Sequence, residues 1–140
     1  MGHKPCYCSR MSVFLGDSMQ LTREFHFDAA HSLDNYDAGH PNTRVHGHSF
    51  RARVTIKGMP DDNTGQIFDL ADLGQVLERV RLQIDHQMLN DIAGLEKPTL
   101  ENICLWLWDQ LSPDLPGLAC IEVNRDSLGQ SCRYEGSRHG

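Results

Sequence analysis

Two histidines separated by one glycine, His46 and His48, stand at the start of an alternating stretch of sequence. Successive side chains of a β-strand point to opposite faces, so these two imidazoles would share one face, with Gly47 turned away. His31 ends the preceding alternating stretch and would lie on the inward face of its strand. Three neutral imidazoles leave one position of a tetrahedral ion open, which is typical of catalytic zinc. The spacing therefore predicts a zinc site at His31, His46 and His48.

The alternative interpretation of the His-x-His motif is chance, because the chain contains eight histidines. The third imidazole on a matching strand face argues against chance. An open position on zinc would allow the metal to polarise a bound hydroxyl or carbonyl group and lower its pKa. We therefore expect the metal to serve chemistry.

A second candidate group consists of Asp85 and His86, in the stretch IDHQMLND at 84–91. An imidazole oriented by a carboxylate can act as a general base. The alternative is a capping aspartate beside a surface histidine, because neighbours in sequence often point apart. The residues by themselves favour this alternative.

The elements that must position these groups follow from hydrophobic periodicity. Four segments have the alternation or composition of strands: 20–31, 45–57, 118–126 and 131–136. Two segments have helical spacing of apolar residues: 70–84 and 99–111, the second with Thr99 as its N-cap. The order strand, strand, helix, helix, strand, strand predicts an α+β fold, with an antiparallel sheet and both helices on one face.

Length and composition limit the domain organisation and the partners. The 140 residues suit one domain, predicted over 19–136 between an N-terminal tail (1–18) and a C-terminal tail (137–140). A net charge of -6 argues against a nucleic-acid partner, and no apolar run is long enough for a membrane span. Five cysteines without a C-x-x-C pair favour a reduced, cytoplasmic protein.

The chain resembles the 6-pyruvoyltetrahydropterin synthase / 6-carboxytetrahydropterin synthase family. The matching stretches run from about residue 20 to 136: FHFDAAH (25–31), HGHSF (46–50), TGQIFDLADL (64–73), IDHQMLND (84–91), PTLEN (98–102) and the final YEG. The resemblance implies the tunnelling fold, a four-stranded antiparallel sheet with two helices on one face. It also implies that three subunits close a barrel, that two barrels stack into a hexamer, and that active sites lie between subunits.

The resemblance assigns roles to both candidate groups. It implies that His31, His46 and His48 hold zinc, and that Asp85 and His86 handle protons. The implied activity is a zinc-dependent lyase acting on 7,8-dihydroneopterin triphosphate. The 6-carboxy type releases acetaldehyde and triphosphate on the route to queuosine and other deazapurines, whereas the pyruvoyl type loses triphosphate and rearranges. The stretches HGHSF and IDHQMLND favour the 6-carboxy type.

The chain departs from this family in the loop before HGH. The catalytic cysteine of the 6-carboxy type corresponds to Asn42, and that of the pyruvoyl type to His40. The loop also lacks the glutamate of folate-type relatives. A thiolate can take up a proton near neutral pH, whereas an amide cannot. His40 or Asp37 could substitute as the base, or both could be ordinary turn residues.

The family's pterin anchor, a glutamate at the end of the third strand, is also changed. Counting forward from Val123 places Arg125 there, whereas counting back from Tyr134 places Asp126 there. A carboxylate accepts hydrogen bonds from pterin N–H groups, but an arginine only donates. An inward Arg125 therefore predicts a ligand with a carboxylate or another acceptor edge, and an inward Asp126 predicts a pterin.

Two residues of PTLEN complete the implied substrate site, Thr99 and Glu101. The alternative for Glu101 is an acidic residue that suits the first turn of a helix. Three hypotheses remain open. The first is a lyase of the 6-carboxy or 6-pyruvoyl type, and the second is a diverged member with another substrate or reaction, in which His40 or Asp37 is the base. The third is a catalytically silent protein that binds zinc and a pterin or purine.

Overall fold

The computed structural model describes residues 17–136, so the predicted tails lie outside the described residues except for 17 and 18. The helices and longer strands follow in the predicted order: β1 (Met19–His31), β2 (His46–Gly58), α1 (Leu70–Ile84), α2 (Leu100–Leu111), β3 (Leu118–Arg125) and β4 (Gln130–Tyr134). Three short 3₁₀ turns join them: Pro41–Thr43, Leu89–Asp91 and Asp126–Leu128.

The four strands form one antiparallel sheet in the order β1-β2-β3-β4. The predicted α+β class is therefore confirmed, while the trimeric barrel stays a prediction. The β1–β2 register places His31 opposite His46, and Ala29 opposite His48. Strand alternation then carries all three histidines onto the same face of the sheet.

This inner face of the sheet carries the hydrophobic core, and both helices pack on it. Phe27 and Phe50 lie opposite each other and stack, with ring centroids 4.8 Å apart and an interplanar angle of 9°. Each is about 1% exposed. The helices contribute the buried apolar residues that their 3.6-residue period places on one side: Leu73, Leu77, Val80 and Ile84 from α1, and Ile103, Leu107 and Leu111 from α2.

The outer face of the sheet is polar. Arg51 binds Glu24 at 2.9 Å and Asp126 at 2.9 Å, and Arg133 binds Glu122 at 3.4 Å. These side chains come from positions that alternate with the core residues, and they are partly or largely exposed. Ion pairs between side chains of neighbouring strands therefore cover part of the outer face.

Both helices begin at side-chain caps. Asp69 accepts a hydrogen bond from the backbone N–H of Asp72 at 3.0 Å, and Thr99 accepts one from that of Asn102 at 3.2 Å. The predicted N-cap role of Thr99 is therefore confirmed. No helix within residues 17–136 is long and apolar enough to cross a membrane.

The chain that leaves α1 returns to the outer edge of β1. The N–H of His86 donates to the carbonyl of Asp28 at 2.6 Å, and the N–H of Ala30 donates to the carbonyl of Gln87 at 3.0 Å. A parallel bridge between Ala30 and Met88 follows. These bonds fix the segment 86–88 beside the end of β1 that leads into His31.

Candidate active site

The three predicted zinc ligands converge where β1 ends and β2 begins. The candidate ligand atoms of His31, His46 and His48 all lie within 4.8 Å of one another. Their ring centroids are 4.6 to 4.9 Å apart, with edge-to-face orientations. The ring of Phe50 lies beneath, 6.2 Å from His31 and 5.7 Å from His48. The group therefore stands at the rim of the hydrophobic core.

Backbone carbonyls fix which nitrogen of two of these rings carries the proton. Nδ1 of His31 lies 2.8 Å from the carbonyl oxygen of Pro98, and Nδ1 of His46 lies 2.7 Å from that of Arg44. A carbonyl oxygen only accepts, so each Nδ1 is the donor and each Nε2 presents a lone pair. The β1–β2 pairing and the two carbonyls therefore orient both lone pairs toward the same point.

The two Nε2 atoms of His31 and His46 are 3.1 Å apart. With a lone pair on each, the two neutral rings cannot form a hydrogen bond, and a metal ion between them would remove their repulsion. A tetrahedral ion with bonds of about 2.0–2.1 Å separates its nitrogen ligands by about 3.3 Å. The chemistry and spacing of this donor set fit a metal ion, and carbonyl-oriented imidazoles are typical of zinc sites.

The pKa values of two ligands favour metal binding. Burial lowers the pKa of His31, and the nearby His46 and Arg125 lower it further, against the hydrogen bond to Pro98. Burial also lowers the pKa of His48 to about 4, together with His31, Arg125 and His46. Both imidazoles are therefore neutral near pH 7, so a metal ion would not have to displace a proton from them.

Asp85 and His86 form a hydrogen-bonded pair. Nδ1 of His86 lies 2.9 Å from Oδ2 of Asp85, Oδ1 accepts from the N–H of Asp28 at 3.0 Å, and Arg81 donates to Oδ2 at 2.8 Å. The Asp28 N–H holds the pKa of Asp85 below its usual value, helped by His86 and Arg81. His86 adopts a φ of 58° in this pair, an uncommon backbone conformation for a residue other than glycine.

The alternative interpretation, a capping aspartate beside a surface histidine, also agrees with part of the structure. Asp85 is the C-cap of α1, and the side chain of His86 is 77% exposed. Two further residues, which the sequence analysis missed, join the pair. Oγ of Ser49 donates to Asp28 at 2.5 Å, and candidate ligand atoms of Asp28, Asp85 and His86 lie within 4.8 Å of one another. Alternation was the available signal, because Asp28 and Ser49 each stand between two inward-facing residues.

The pair and the histidine triad lie on opposite faces of the sheet. Asp28 alternates with the buried Phe27 and Ala29, so its carboxylate and the neighbouring pair belong to the outer face. A pocket of about 520 Å³ lies beside the pair, and its lining includes Asp28, Ser49 and His86 together with His48 of β2. Within one chain, the sheet separates the predicted metal ligands from the predicted proton-handling pair.

The loop before β2 places His40 in a turn. Its Nδ1 accepts a hydrogen bond from the backbone N–H of Asn42 at 3.1 Å, and its ring stacks on Tyr36 with centroids 4.2 Å apart. Because Nδ1 accepts, Nε2 of the neutral ring carries the proton, and His40 is a donor in this conformation. Asp37 contributes its carbonyl to the same turn, 3.0 Å from the N–H of His40. A base role for either residue stays a prediction.

The two candidates for the anchor position separate clearly. Nη1 of Arg125 lies 3.5 Å from Nε2 of His48, so Arg125 faces the triad. Asp126 instead accepts two hydrogen bonds from Arg51, at 2.9 and 3.0 Å, on the outer face. The reason is alternation along β3, where Val123 and Arg125 share the inward side.

Thr99 and Glu101 lie at the start of α2. The hydroxyl of Thr99 is engaged in its cap, while Glu101 is an exposed residue of the first turn. The negative charge of Glu101 favours the charged form of Arg125 and so raises its pKa against the larger effect of burial. Glu101 therefore lies close enough to Arg125 to influence its charge.

A sheet with two helices on one face, an imidazole triad and an Asp–His pair define an enzyme of the tetrahydropterin synthase type. A family model described as "6-pyruvoyl tetrahydropterin synthase" matches residues 20–137. The chain belongs to this family, whose members are lyases. The family expected from the sequence motifs is thereby confirmed.

Named relatives support the assignment. A 6-carboxy-5,6,7,8-tetrahydropterin synthase from Synechocystis sp. is 38% identical over 81% of this chain and 91% of its own length. A dihydroneopterin monophosphate aldolase from Pyrococcus furiosus is 32% identical over 81% of this chain and 87% of its own length. The structure of a Caenorhabditis elegans 6-pyruvoyl tetrahydropterin synthase superposes with a TM-score of 0.77 and 23% identity. It covers 86% of this chain and 97% of that one, which supports the fold.

Proposed function

We propose that this protein is a zinc-dependent lyase acting on 7,8-dihydroneopterin triphosphate, of the 6-carboxytetrahydropterin synthase type, on a route to queuosine or another deazapurine. The observation that carries the proposal is the convergence of three imidazoles, two of which are fixed by backbone carbonyls with Nε2 atoms 3.1 Å apart. The 6-carboxy type is supported by the Synechocystis relative, which is named a 6-carboxy-5,6,7,8-tetrahydropterin synthase.

His31, His46 and His48 would hold the zinc ion. When bound, zinc would polarise the side-chain hydroxyl groups of the substrate and make the hydrogens on their carbons easier to remove. The chain's own residues orient the ligands through the carbonyls of Pro98 and Arg44. The apolar rim beneath the triad would limit the access of water.

Asp85 and His86 would handle protons. Asp85 accepts from Nδ1–H of His86, so Nε2 is left with the lone pair that takes up a proton, and the carboxylate stabilises the imidazolium that forms. Arg81 and the Asp28 N–H hold Asp85 in place. This pair therefore has the geometry of a general base oriented by a carboxylate.

The separation of triad and pair by the sheet supports a site shared between subunits. If the pair of one chain serves the triad of another, the active form is a homo-oligomer, and we propose the family's hexamer of two trimeric barrels. Asn42 supplies no thiol, so abstraction of the substrate proton would fall to His86, to Asp37, or to His40 after its ring turns.

The test is turnover of 7,8-dihydroneopterin triphosphate by the zinc-loaded protein, beside an Asn42→Cys variant and the metal-free protein. We expect the zinc-loaded wild type to release acetaldehyde, triphosphate and 6-carboxytetrahydropterin, and the metal-free protein to release none of them. Failure of both zinc-loaded proteins would contradict the proposal. Turnover by Asn42→Cys alone would show a pterin pocket whose natural reaction is another one.

A second candidate is a different cleavage of a related pterin. The Pyrococcus relative, named an aldolase for dihydroneopterin monophosphate, favours it, as does the loop without a thiol. The same assay with dihydroneopterin monophosphate would release a 6-hydroxymethyl pterin if this candidate is correct. Release of 6-pyruvoyltetrahydropterin from the triphosphate would instead indicate the pyruvoyl type, and binding without turnover a catalytically silent protein.

A further inference from the structure

Arg125 is a partly buried cation with no carboxylate partner among residues 17–136. Within residues 17–136, five other arginines lie within 4 Å of a carboxylate: Arg51, Arg53, Arg79, Arg81 and Arg133. No such ion pair is described for Arg125. Its Nε is buried without a hydrogen-bond partner, and its one described contact, 3.5 Å from Nε2 of His48, is long for a hydrogen bond.

The cost of this arrangement points to a ligand. A guanidinium removed from water needs acceptors for its five N–H donors, and burial is the main cause that lowers the pKa of Arg125. Glu101 and Tyr36 act in the opposite direction, but the Glu101 carboxylate is not at ion-pair distance. N–H groups of Arg125 are therefore available to donate hydrogen bonds to a ligand beside the triad.

The positive charge beside the triad determines whether a ligand should present hydrogen-bond donors or acceptors to Arg125. A divalent ion at the triad would add its positive charge to that of Arg125. A ligand that turned N–H donors toward Arg125 would leave both sets of donors unpaired wherever it displaced water, which is costly. A ligand that presents lone pairs would satisfy the guanidinium.

We propose that Arg125 is a specificity-determining residue whose guanidinium donates hydrogen bonds to an acceptor edge of the ligand bound at the triad. This inference rests on the proposed function, because it takes the ligand to be a pterin. In a 7,8-dihydropterin, the ring atom next to the side-chain-bearing C6 is N5, an acceptor. N5 and the oxygen on C4 point the same way, as a planar guanidinium requires.

The position of Arg125 matches this edge. If the side chain on C6 binds the metal, then N5 is the ring acceptor nearest to the triad, and Arg125 is the guanidinium that contacts His48. The opposite edge of the pterin carries the N3–H and amino donors, for which the carboxylate of Glu101, in the first turn of α2, would be a suitable acceptor. Arg125 and Glu101 would then distinguish the two edges of one ring.

The experiment compares two probes that differ at one ring atom, pterin and 5-deazapterin, whose C5–H replaces the N5 acceptor. Their dissociation constants are measured by fluorescence titration of the zinc-loaded wild type, Arg125→Met and Arg125→Lys. For the wild type, we expect the dissociation constant of pterin to be lower than that of 5-deazapterin by a factor of about 10 or more. A lost hydrogen bond to a charged donor implies a difference of this size. Arg125→Met should bind both equally, and Arg125→Lys should show a reduced preference.

The control is Arg79→Met, the same substitution at an exposed arginine paired with Asp114 on the surface, which should keep the wild-type preference. Zinc content and thermal unfolding confirm that each variant is loaded and folded. An unchanged preference in Arg125→Met overturns the inference, whatever the turnover. A preference that depends on Arg125 without lyase turnover would instead contradict the proposed reaction alone. If neither probe binds the wild type, the site does not take a pterin, and both the proposed lyase function and the proposed role of Arg125 are wrong.

Discussion

The two faces of the sheet hold their candidate functional groups in opposite environments. On the inner face, the triad lies against the ring of Phe50, and backbone carbonyls fix the tautomers of His31 and His46. Burial lowers the pKa values of His31 and His48. On the outer face, His86 is exposed, and a network of charges and backbone N–H groups orients it. Metal ligands gain from burial, because it keeps them neutral, whereas a proton carrier must reach its substrate.

Removal of a triad imidazole should have the largest effect. His31→Ala deletes one ligand and the carbonyl-fixed lone pair that faces His46, so we expect metal binding to fall by orders of magnitude. His48→Ala should act in the same way. Metal content after dialysis measures it, with Arg79→Met as the matched control. Full occupancy in either alanine variant would show that the triad is not the metal site.

Replacement of His86 should separate the two faces. His86→Ala leaves the inner face intact, so we expect normal zinc content and a loss of turnover of about 100- to 10,000-fold, as for a general base. Zinc analysis and steady-state kinetics on the same preparation measure both. If turnover is unchanged, His86 is a surface residue without a catalytic role.

A mixture of the two kinds of variant tests whether the faces meet between chains. Subunits of His48→Ala and His86→Ala, co-expressed with different tags and purified as mixed oligomers, should regain part of the activity that each lacks alone. Some sites in the mixture would combine an intact triad with an intact pair. Mixed oligomers as inactive as their parents would indicate that each chain completes its own site.

Truncation of a core ring should affect stability rather than chemistry. Phe27→Ala removes a fully buried ring that stacks on Phe50, and comparable substitutions cost about 3–5 kcal/mol of unfolding free energy. Denaturant unfolding of the metal-free protein measures it. A loss below about 1 kcal/mol would mean that the inner face repacks.

The smallest effect is expected on the outer face. Arg133 is half exposed and pairs with Glu122 and Glu135. Since exposed ion pairs contribute little to stability, Arg133→Met should leave the unfolding free energy nearly unchanged. The same unfolding experiment at low and high salt checks it. A loss as large as that of Phe27→Ala would remove the contrast in stability between the two faces.

Sequence periodicity predicted most of the fold and the triad, because both depend on alternation. The predicted helix 70–84 is observed over the same residues, and alternation alone placed three histidines on one face. Periodicity did not predict the contact between Asp85 and His86, because His86 follows the end of α1 in a turn with a positive φ. No periodicity encodes a single turned residue.

The anchor position could not be settled from the sequence for a different reason. Counting from β3 and counting from β4 disagreed because the 3₁₀ turn Asp126–Leu128 lies between them. A turn of this kind has no hydrophobic period, so its length is not visible in the sequence pattern. The structure then showed that Asp126 binds Arg51 and that Arg125 lies beside His48.

The segment 86–88 also determines how another strand could add to this sheet. β1 is an edge strand, and an exposed edge is a template for pairing with a second chain. Its outward backbone groups at Asp28 and Ala30 are already bonded to His86 and Gln87. An incoming strand can therefore pair only with His26 and the residues before it. The return of the chain to β1 would thus act as a stop that sets the stagger between neighbouring sheets in an assembly.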